Sequence, residues 1–207
     1  MAKISGFPNG PLGYESDGAL GLRRPSGPAL TAEKKVALCR CGGSANKPFC
    51  DGTHKKIGFS DRNLADPAKD KREHYAGRKI TILDNRGLCA HAGACTDNLK
   101  EVFRYGEEPW IYPDAASVEK VIETIRKCPS GALAHALEGV EKSFPKRPPM
   151  VEVTPNGPYA VSGGVELAAA PWGEGASREH YTLCRCGASK NKPFCDGSHW
   201  EANFKDA

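Results

Sequence analysis

Three cysteines and one histidine recur in the same register at two places in this chain. "CRCGGSANKPFCDGTH" covers 39–54 and "CRCGASKNKPFCDGSH" covers 184–199, with 13 identical positions at a constant offset of 145. Cys39 and Cys41 stand two apart, so an extended backbone puts both thiols on one side. Cys50 and His54 stand four apart, a spacing that one helical turn brings onto a common face. Asp51 is placed to cap that turn, and Gly52 permits a close backbone approach. Gly42, Gly43 and Ser44 offer N–H and hydroxyl donors beside the thiols, and Pro48 stiffens the loop. The second copy repeats the arrangement with Cys184, Cys186, Ser189, Cys195, Asp196 and His199. Three Cys and one His form a normal tetrahedral zinc set, although zinc pairs usually read C-x₂₋₄-C rather than C-x-C. A nucleophilic Cys–His pair is the other chemistry these types allow. It needs only two residues, whereas all four recur intact.

A third group lies between the copies. "CAHAGAC" carries Cys89 and Cys95, and "CPSGAL" opens with Cys128. Bacterial ferredoxins use C-x₂-C-x₂-C with a distant Cys-Pro. On that pattern Cys89 and Cys95 take the first and third places and Cys128-Pro129 the last. Ala92 stands where the second cysteine belongs. Three thiolates suit a [3Fe–4S] cluster. A [4Fe–4S] cluster needs a fourth ligand, from His91 or from a small exogenous group; the plainer reading of His91 is a polar loop residue. The plainer reading is three buried thiols. His74, His135 and His180 have no motif around them and read as structural. Trp200, directly after His199, reads as packing, with a docking surface as the alternative.

Composition limits the rest. The chain has 207 residues, 23 Gly, 16 Pro and nine Cys. Nine is odd, and MAKISGFPNG lacks the apolar stretch of a secretory signal, so a secreted disulfide framework is not expected. A cytoplasmic protein with no membrane span is. The net charge of +4 is too modest for the footprint of a nucleic-acid binder.

The similarity between the copies runs beyond the cysteines. Pro8-Asn9-Gly10-Pro11 is echoed by Pro155-Asn156-Gly157-Pro158, and Phe59 and Asp61 by Phe204 and Asp206. Each unit reads as short strands and Pro/Gly turns leading to the cysteine loop. The middle segment predicts a strand at 78–84, a short helix at 95–103 and a strand at 109–114. A helix at 117–128 follows, capped by Ser117 or Asp114, and then a strand at 131–137. The domains expected are 1–62, 63–147 and 148–207, with the middle one a separate lobe. Units this short rarely hold together on apolar burial alone, and bound metal would be the staple.

The repeated segments resemble the CDGSH-type iron–sulfur proteins, the mitoNEET-like family. Its pattern C-x-C-x₂-[ST]-x₃-P-x-C-D-G-[SAT]-H fits from Cys39 to His54, and from Cys184 to His199, without a gap. The resemblance implies one [2Fe–2S] cluster per motif, with the C-x-C pair on one iron and the later Cys and His on the other. It implies clusters near the surface and two motifs packed together. The middle segment, roughly 75–140, resembles the divergent single-cluster ferredoxin domains. The expected fold is α+β and loop-rich: two small β-rich CDGSH units form a pseudo-dimer around their clusters, beside a ferredoxin-like domain. The expected function is one-electron transfer by a monomeric carrier with protein redox partners, a reductase or an acceptor. No enzyme activity, nucleic acid or membrane is expected. Cluster delivery or redox sensing is the second reading, and a structural zinc protein the third.

Overall fold

The computed structural model describes residues 1–19, 21–26, 30 and 34–206. The first repeat unit forms β1 (Ala2–Gly6), β2 (Leu12–Ser16), β3 (Leu22–Arg23), β4 (Lys35–Leu38) and the one-turn helix α1 (Thr53–Lys56). The middle segment forms β5 (Arg72–Ala76), β6 (Thr81–Asn85), α2 (Ala94–Asn98), α3 (Val118–Arg126), β7 (Leu133–Leu137) and β8 (Val140–Glu141). The second unit forms β9 (Met150–Val153), β10 (Tyr159–Ser162), β11 (Glu166–Leu167) and β12 (His180–Leu183). These strands make three four-stranded sheets, in a mixed α and β architecture with few helices.

The two repeat units exchange strands. The first sheet runs β11-β1-β2-β4, and the second β12-β10-β9-β3. In the first, β11 of the second unit lies parallel to β1, pairing Ile4 with Leu167. In the second, β3 of the first unit lies parallel to β9, pairing Leu22 with Val151. The two exchanges are equivalent under the repeat. Both sheets turn their apolar faces into one core, where Ile4, Leu12, Tyr14 and Leu38 meet Val151, Val161, Tyr181 and Leu183. Among the described residues, the first unit supplies five of the fourteen buried side chains in that core. The first unit is therefore held by the second.

The residues repeated outside the cysteine loops have one shared task. The arginine of each C-R-C is buried and grips the rest of its own unit. Arg40 donates to the Gly10 carbonyl at 2.7 Å, the Phe7 carbonyl at 2.7 Å and Asp61 at 2.8 Å. Arg185 donates to the Gly157 carbonyl at 2.8 Å, the Thr154 carbonyl at 2.7 Å and Asp206. The Phe59 and Phe204 rings lie 5.6 and 5.0 Å from the two guanidiniums. Asn9 and Asn156, both at positive φ in their turns, accept from the N–H of Asp61 and Asp206. Pro-Asn-Gly, Phe and Asp thus recur because a buried arginine needs every donor satisfied.

The middle segment has its own core, in which Ile82 and Leu133 of the β5-β6-β7-β8 sheet pack against Val121 and Ile125 of α3. The Ser117 hydroxyl accepts from the Lys120 N–H at 3.4 Å, so Ser117 is the cap; the Asp114 carboxylate binds Arg78 instead. The predicted helix at 95–103 is shorter and ends at Asn98. The predicted strand at 109–114 is only an isolated bridge between Phe103 and Ile111, since Pro109 and Pro113 have no N–H to give a ladder. The segment is also less separate than expected. Asp70 accepts from Asn85 at 2.6 Å and from the Glu174 N–H at 2.9 Å, and the Phe144 and His180 rings stack edge-on at 4.3 Å.

The Arg185 side chain is 0% exposed and Asp206 6%. Removing one partner of such a buried pair costs about 3–5 kcal/mol. Arg185→Met is expected to lower the unfolding free energy of the loaded protein by that amount, read as a lower urea midpoint at unchanged slope. Arg40→Met should cost less, because Asp61 is 29% exposed. An Arg185→Met midpoint equal to the parent's would show that the grip contributes nothing.

Candidate metal centres

In the first unit, β4 ends at Leu38, which bridges to Phe49 across the cysteine loop. The Cys39 N–H donates to the Pro48 carbonyl at 2.8 Å and the Cys50 N–H to the Ala37 carbonyl at 2.9 Å. The loop is closed at its neck, and its thiols are brought together. Cys39 Sγ lies 3.7 Å from Cys41 Sγ, and Cys50 Sγ lies 3.4 Å from His54 Nδ1. In the second unit the same pairs stand at 3.8 and 3.5 Å. A tetrahedral ion with metal–sulfur bonds of about 2.3 Å and metal–nitrogen bonds of about 2.0–2.1 Å has ligand–ligand edges of about 3.8 and about 3.6 Å. Each pair therefore fits one metal. Among the described residues, no three Cys, His, Asp or Glu side chains converge on a single ion position. The four donors of each motif meet two by two.

The other predicted site residues brace these loops. The Ser44 hydroxyl gives its proton to the Phe49 carbonyl at 2.7 Å and accepts from the Asn46 N–H. Ser189 does the same with Phe194 and Asn191. Both hydroxyl protons thus go to backbone carbonyls within their own loops. Asp51 accepts from the N–H groups of Ala45 and Thr53, and Asp196 from those of Lys190 and Ser198. Each aspartate thus ties the loop to its helical turn, and those hydrogen bonds hold both carboxyls below the usual range, Asp196 against a strong opposing push from burial.

The third group converges as well. Cys89, Cys95 and Cys128 line one small, mostly apolar cavity, together with Ala92 and Asp84. Cys89 follows a 3₁₀ turn, Cys95 sits in α2, and Cys128 follows α3. The Cys89 Sγ accepts the His91 N–H at 3.3 Å. The His91 ring is absent from the cavity lining and rests on Gly197 of the second motif.

Burial dominates the electrostatics. It raises Cys41 and Cys89, and it pushes Cys95 up to about 11 and Cys195 up to about 12. The hydrogen bond between Cys184 and Cys186, together with burial, raises Cys184. These thiols hold their protons until a cation displaces them, so metal binding must release protons.

The two motifs differ in cover. His199 and Cys195 are buried, whereas His54 and Cys50 are half-exposed. The cover comes from the middle segment and the linker before it. The Trp200 N–H donates to the His91 carbonyl at 3.1 Å, Asn191 donates to the Gly87 carbonyl at 2.9 Å, and the Leu64 N–H donates to the Lys190 carbonyl at 2.7 Å. Trp200, expected to pack, is 66% exposed and holds the middle segment by its edge. The sequence reading did not single out Arg40, Arg185 or Asp84. The repeat of C-R-C could have found the first two. An acid closing the apolar run "ITIL" could have found the third.

Among the described residues, no helix is long and apolar enough to cross a membrane. Residues 9–55 and 156–200 match the family described as iron-binding zinc finger, CDGSH type. Residues 75–138 match the family described as divergent 4Fe-4S mono-cluster, which names one iron more than three thiolates suit. The protein printed as uncharacterized protein YjdI, in Escherichia coli K12 and in Escherichia coli O157:H7, is 39% identical over 61 residues, 30% of this chain and 80% of the relative. No solved structure matches. Paired donors at metal-edge distances, found twice and flanking a three-thiol cavity, agree with these matches: the chain belongs to the CDGSH iron-binding family, in a form that carries two motifs around a divergent 4Fe-4S mono-cluster domain.

Proposed function

We propose that the protein is a one-electron carrier with a [2Fe–2S] cluster in each CDGSH motif and a [4Fe–4S] cluster in the middle cavity. In each motif the C-x-C pair holds one iron, and the later Cys with His Nδ1 holds the other. The two-by-two meeting of donors supports two metals per motif over a single zinc ion. No catalytic step is assigned to the chain. Its residues bind, orient and shield the clusters, and the clusters supply the redox chemistry.

The observation that carries electron transfer is contact between the three sites. A Cβ on Gly42 would overlap the Cys186 carbonyl oxygen, and one on Gly187 would lie 2.6 Å from the Cys41 carbonyl oxygen. The two C-x-C loops therefore stand back to back, as the halves of an internal dimer. A Cβ on Gly197 would lie 2.6 Å from His91 Cδ2, so the second motif touches the loop between Cys89 and Cys95. Tunnelling falls off steeply with distance, and a row of sites joined by packed backbone is the arrangement it favours. The partners are a protein reductase and a protein acceptor. Cluster delivery is favoured at the first motif alone, where Asp51 is exposed and His54 half-exposed.

Three outcomes are expected. Anaerobically prepared protein should hold about eight irons per chain with matching acid-labile sulfide, and its reduced EPR spectra should show spin coupling between neighbouring centres. Stoichiometric zinc without sulfide would sink the iron–sulfur reading, and three uncoupled spectra would sink the relay. Absorbance should decay in two phases under a chelator, the first motif emptying before the second; equal rates would remove the argument for delivery. His54→Cys replaces a neutral ligand by a thiolate and makes that cluster one charge more negative. Its potential should fall on the order of 100 mV or more, judged from the rise that two histidines give Rieske centres. The other two potentials should stay in place, and no shift at the first would exclude His54 as a ligand.

A further inference from the structure

Asp84 is the buried acid of the described residues, and it is badly compensated. It is 0% exposed, and neither carboxylate oxygen has a hydrogen-bond partner. Arg86 approaches only to 3.9 Å and is itself 44% exposed. The Trp110 indole N–H, also without a hydrogen-bond partner, lies beside it. Burial pushes the Asp84 carboxyl up to about 7, against the pull of Arg86. Glu73, its cross-strand neighbour on β5, adds a further negative charge. A half-paired buried carboxylate costs several kcal/mol, and a strand residue that costs this much needs a partner.

The cavity it lines contains what is missing. Asp84 borders the same space as Cys89, Cys95 and Cys128. Ala92 occupies the place of the absent fourth cysteine and has no donor to offer. His91 is turned away, with its ring on Gly197. A [3Fe–4S] core bound to three thiolates would be anionic, and a free carboxylate beside it would be repelled. A carboxylate bound to a fourth iron is compensated by that iron.

We propose that Asp84 is the fourth ligand of the middle centre, so that Cys89, Cys95, Cys128 and one Asp84 oxygen together hold a [4Fe–4S] cluster. Asp84 would give its carboxyl proton to solvent and offer one oxygen to the fourth iron in place of a water. An oxidised four-iron core of charge +2 with three thiolates and one carboxylate totals −2, the same as with four cysteines. The oxygen ligand is harder than a thiolate and holds its iron less firmly, so this iron is the removable one. The proposal rests on the iron–sulfur reading above, and it is tested separately from it.

The test uses the full chain, reconstituted anaerobically with ferrous iron and sulfide, as the parent and as Asp84→Ala, Asp84→Asn and Asp84→Cys. Oxidised [2Fe–2S] and [4Fe–4S] centres are EPR-silent, whereas an oxidised [3Fe–4S] centre is not. The parent is expected to be silent once ferrous iron and reductant have been supplied and then removed. Asp84→Ala and the isosteric Asp84→Asn should each lose about one iron per chain and show the three-iron signal at full intensity. Asp84→Cys should stay silent and keep its iron under a chelator that strips the parent. CDGSH absorbance and the far-ultraviolet circular dichroism report folding, and Asp84→Asn decides the matter where Asp84→Ala does not fold. A parent that shows the full three-iron signal after iron loading overturns the proposal, as does an Asp84→Asn protein with the parent's iron count and silence. A parent without iron or sulfide overturns the underlying reading instead.

Discussion

The Gly42 and Gly187 backbones lie against the carbonyls of Cys186 and Cys41, with no room for a side chain between them. Both glycines have positive φ, so a larger residue would meet a backbone penalty as well as a steric one. This contact sets the distance between the two motif loops. The exchanged strands β3 and β11 maintain it, because each unit has one strand pinned in the other's sheet. Tyr159 adds a third tie: its hydroxyl donates from the second unit to the Cys39 carbonyl at 2.6 Å and lies 3.0 Å from that of Pro48. The metal loops are therefore parts of the core rather than appendages to it.

A duplicated unit would give two equal sites, and these are unequal for an identifiable reason. At the offset of 145, Trp200 corresponds to Lys55. Lys55 is exposed and holds nothing, whereas Trp200 binds the His91 carbonyl. The linker and the middle segment cover the second motif, while nothing among the described residues covers the first in the same way. Trp200 is thus one of three contacts, with Asn191 to Gly87 and Leu64 to Lys190, that join the second motif to the middle of the chain.

The pairing of the candidate donors was legible in the sequence because it is local. C-x-C and C-x₃-H bring two donors to one point through backbone geometry alone, and the repeat doubled the signal. The brace was half legible: Pro-Asn-Gly, Phe59 and Asp61 were visible as repeated, but their link to Arg40 is a tertiary contact that no spacing announces. The strand exchange was not legible, since two residues at Leu22–Arg23 or Glu166–Leu167 carry no period. β5 was missed because Arg72–Ala76 is an edge strand with polar residues on both faces, which removes the alternation that marks a strand. His91, open in the sequence to a loop role or a ligand role, has its ring outside the lining of the three-thiol cavity. Its positive φ turns the chain so that the N–H faces Cys89 while the ring faces the other motif.

The three sites also depend on metal to different degrees. The middle thiols belong to the core of Ile82, Val121, Ile125 and Leu133, with Cys128 buried in it and Cys89 and Cys95 packed against it, so that sheet and α3 have apolar support besides any metal. The motif loops have much less: each is closed by two backbone hydrogen bonds at its neck and braced by one aspartate and one serine. Burial raises Cys41 and Cys195, and paired thiols add like charge as they ionise. Two irons and two sulfides replace that repulsion with bonds. Because both loops share one contact through Gly42 and Gly187, a metal that orders one loop also orders the surface on which the other is built. Binding at one motif should therefore favour binding at the other, a coupling that follows from the shared backbone contact alone.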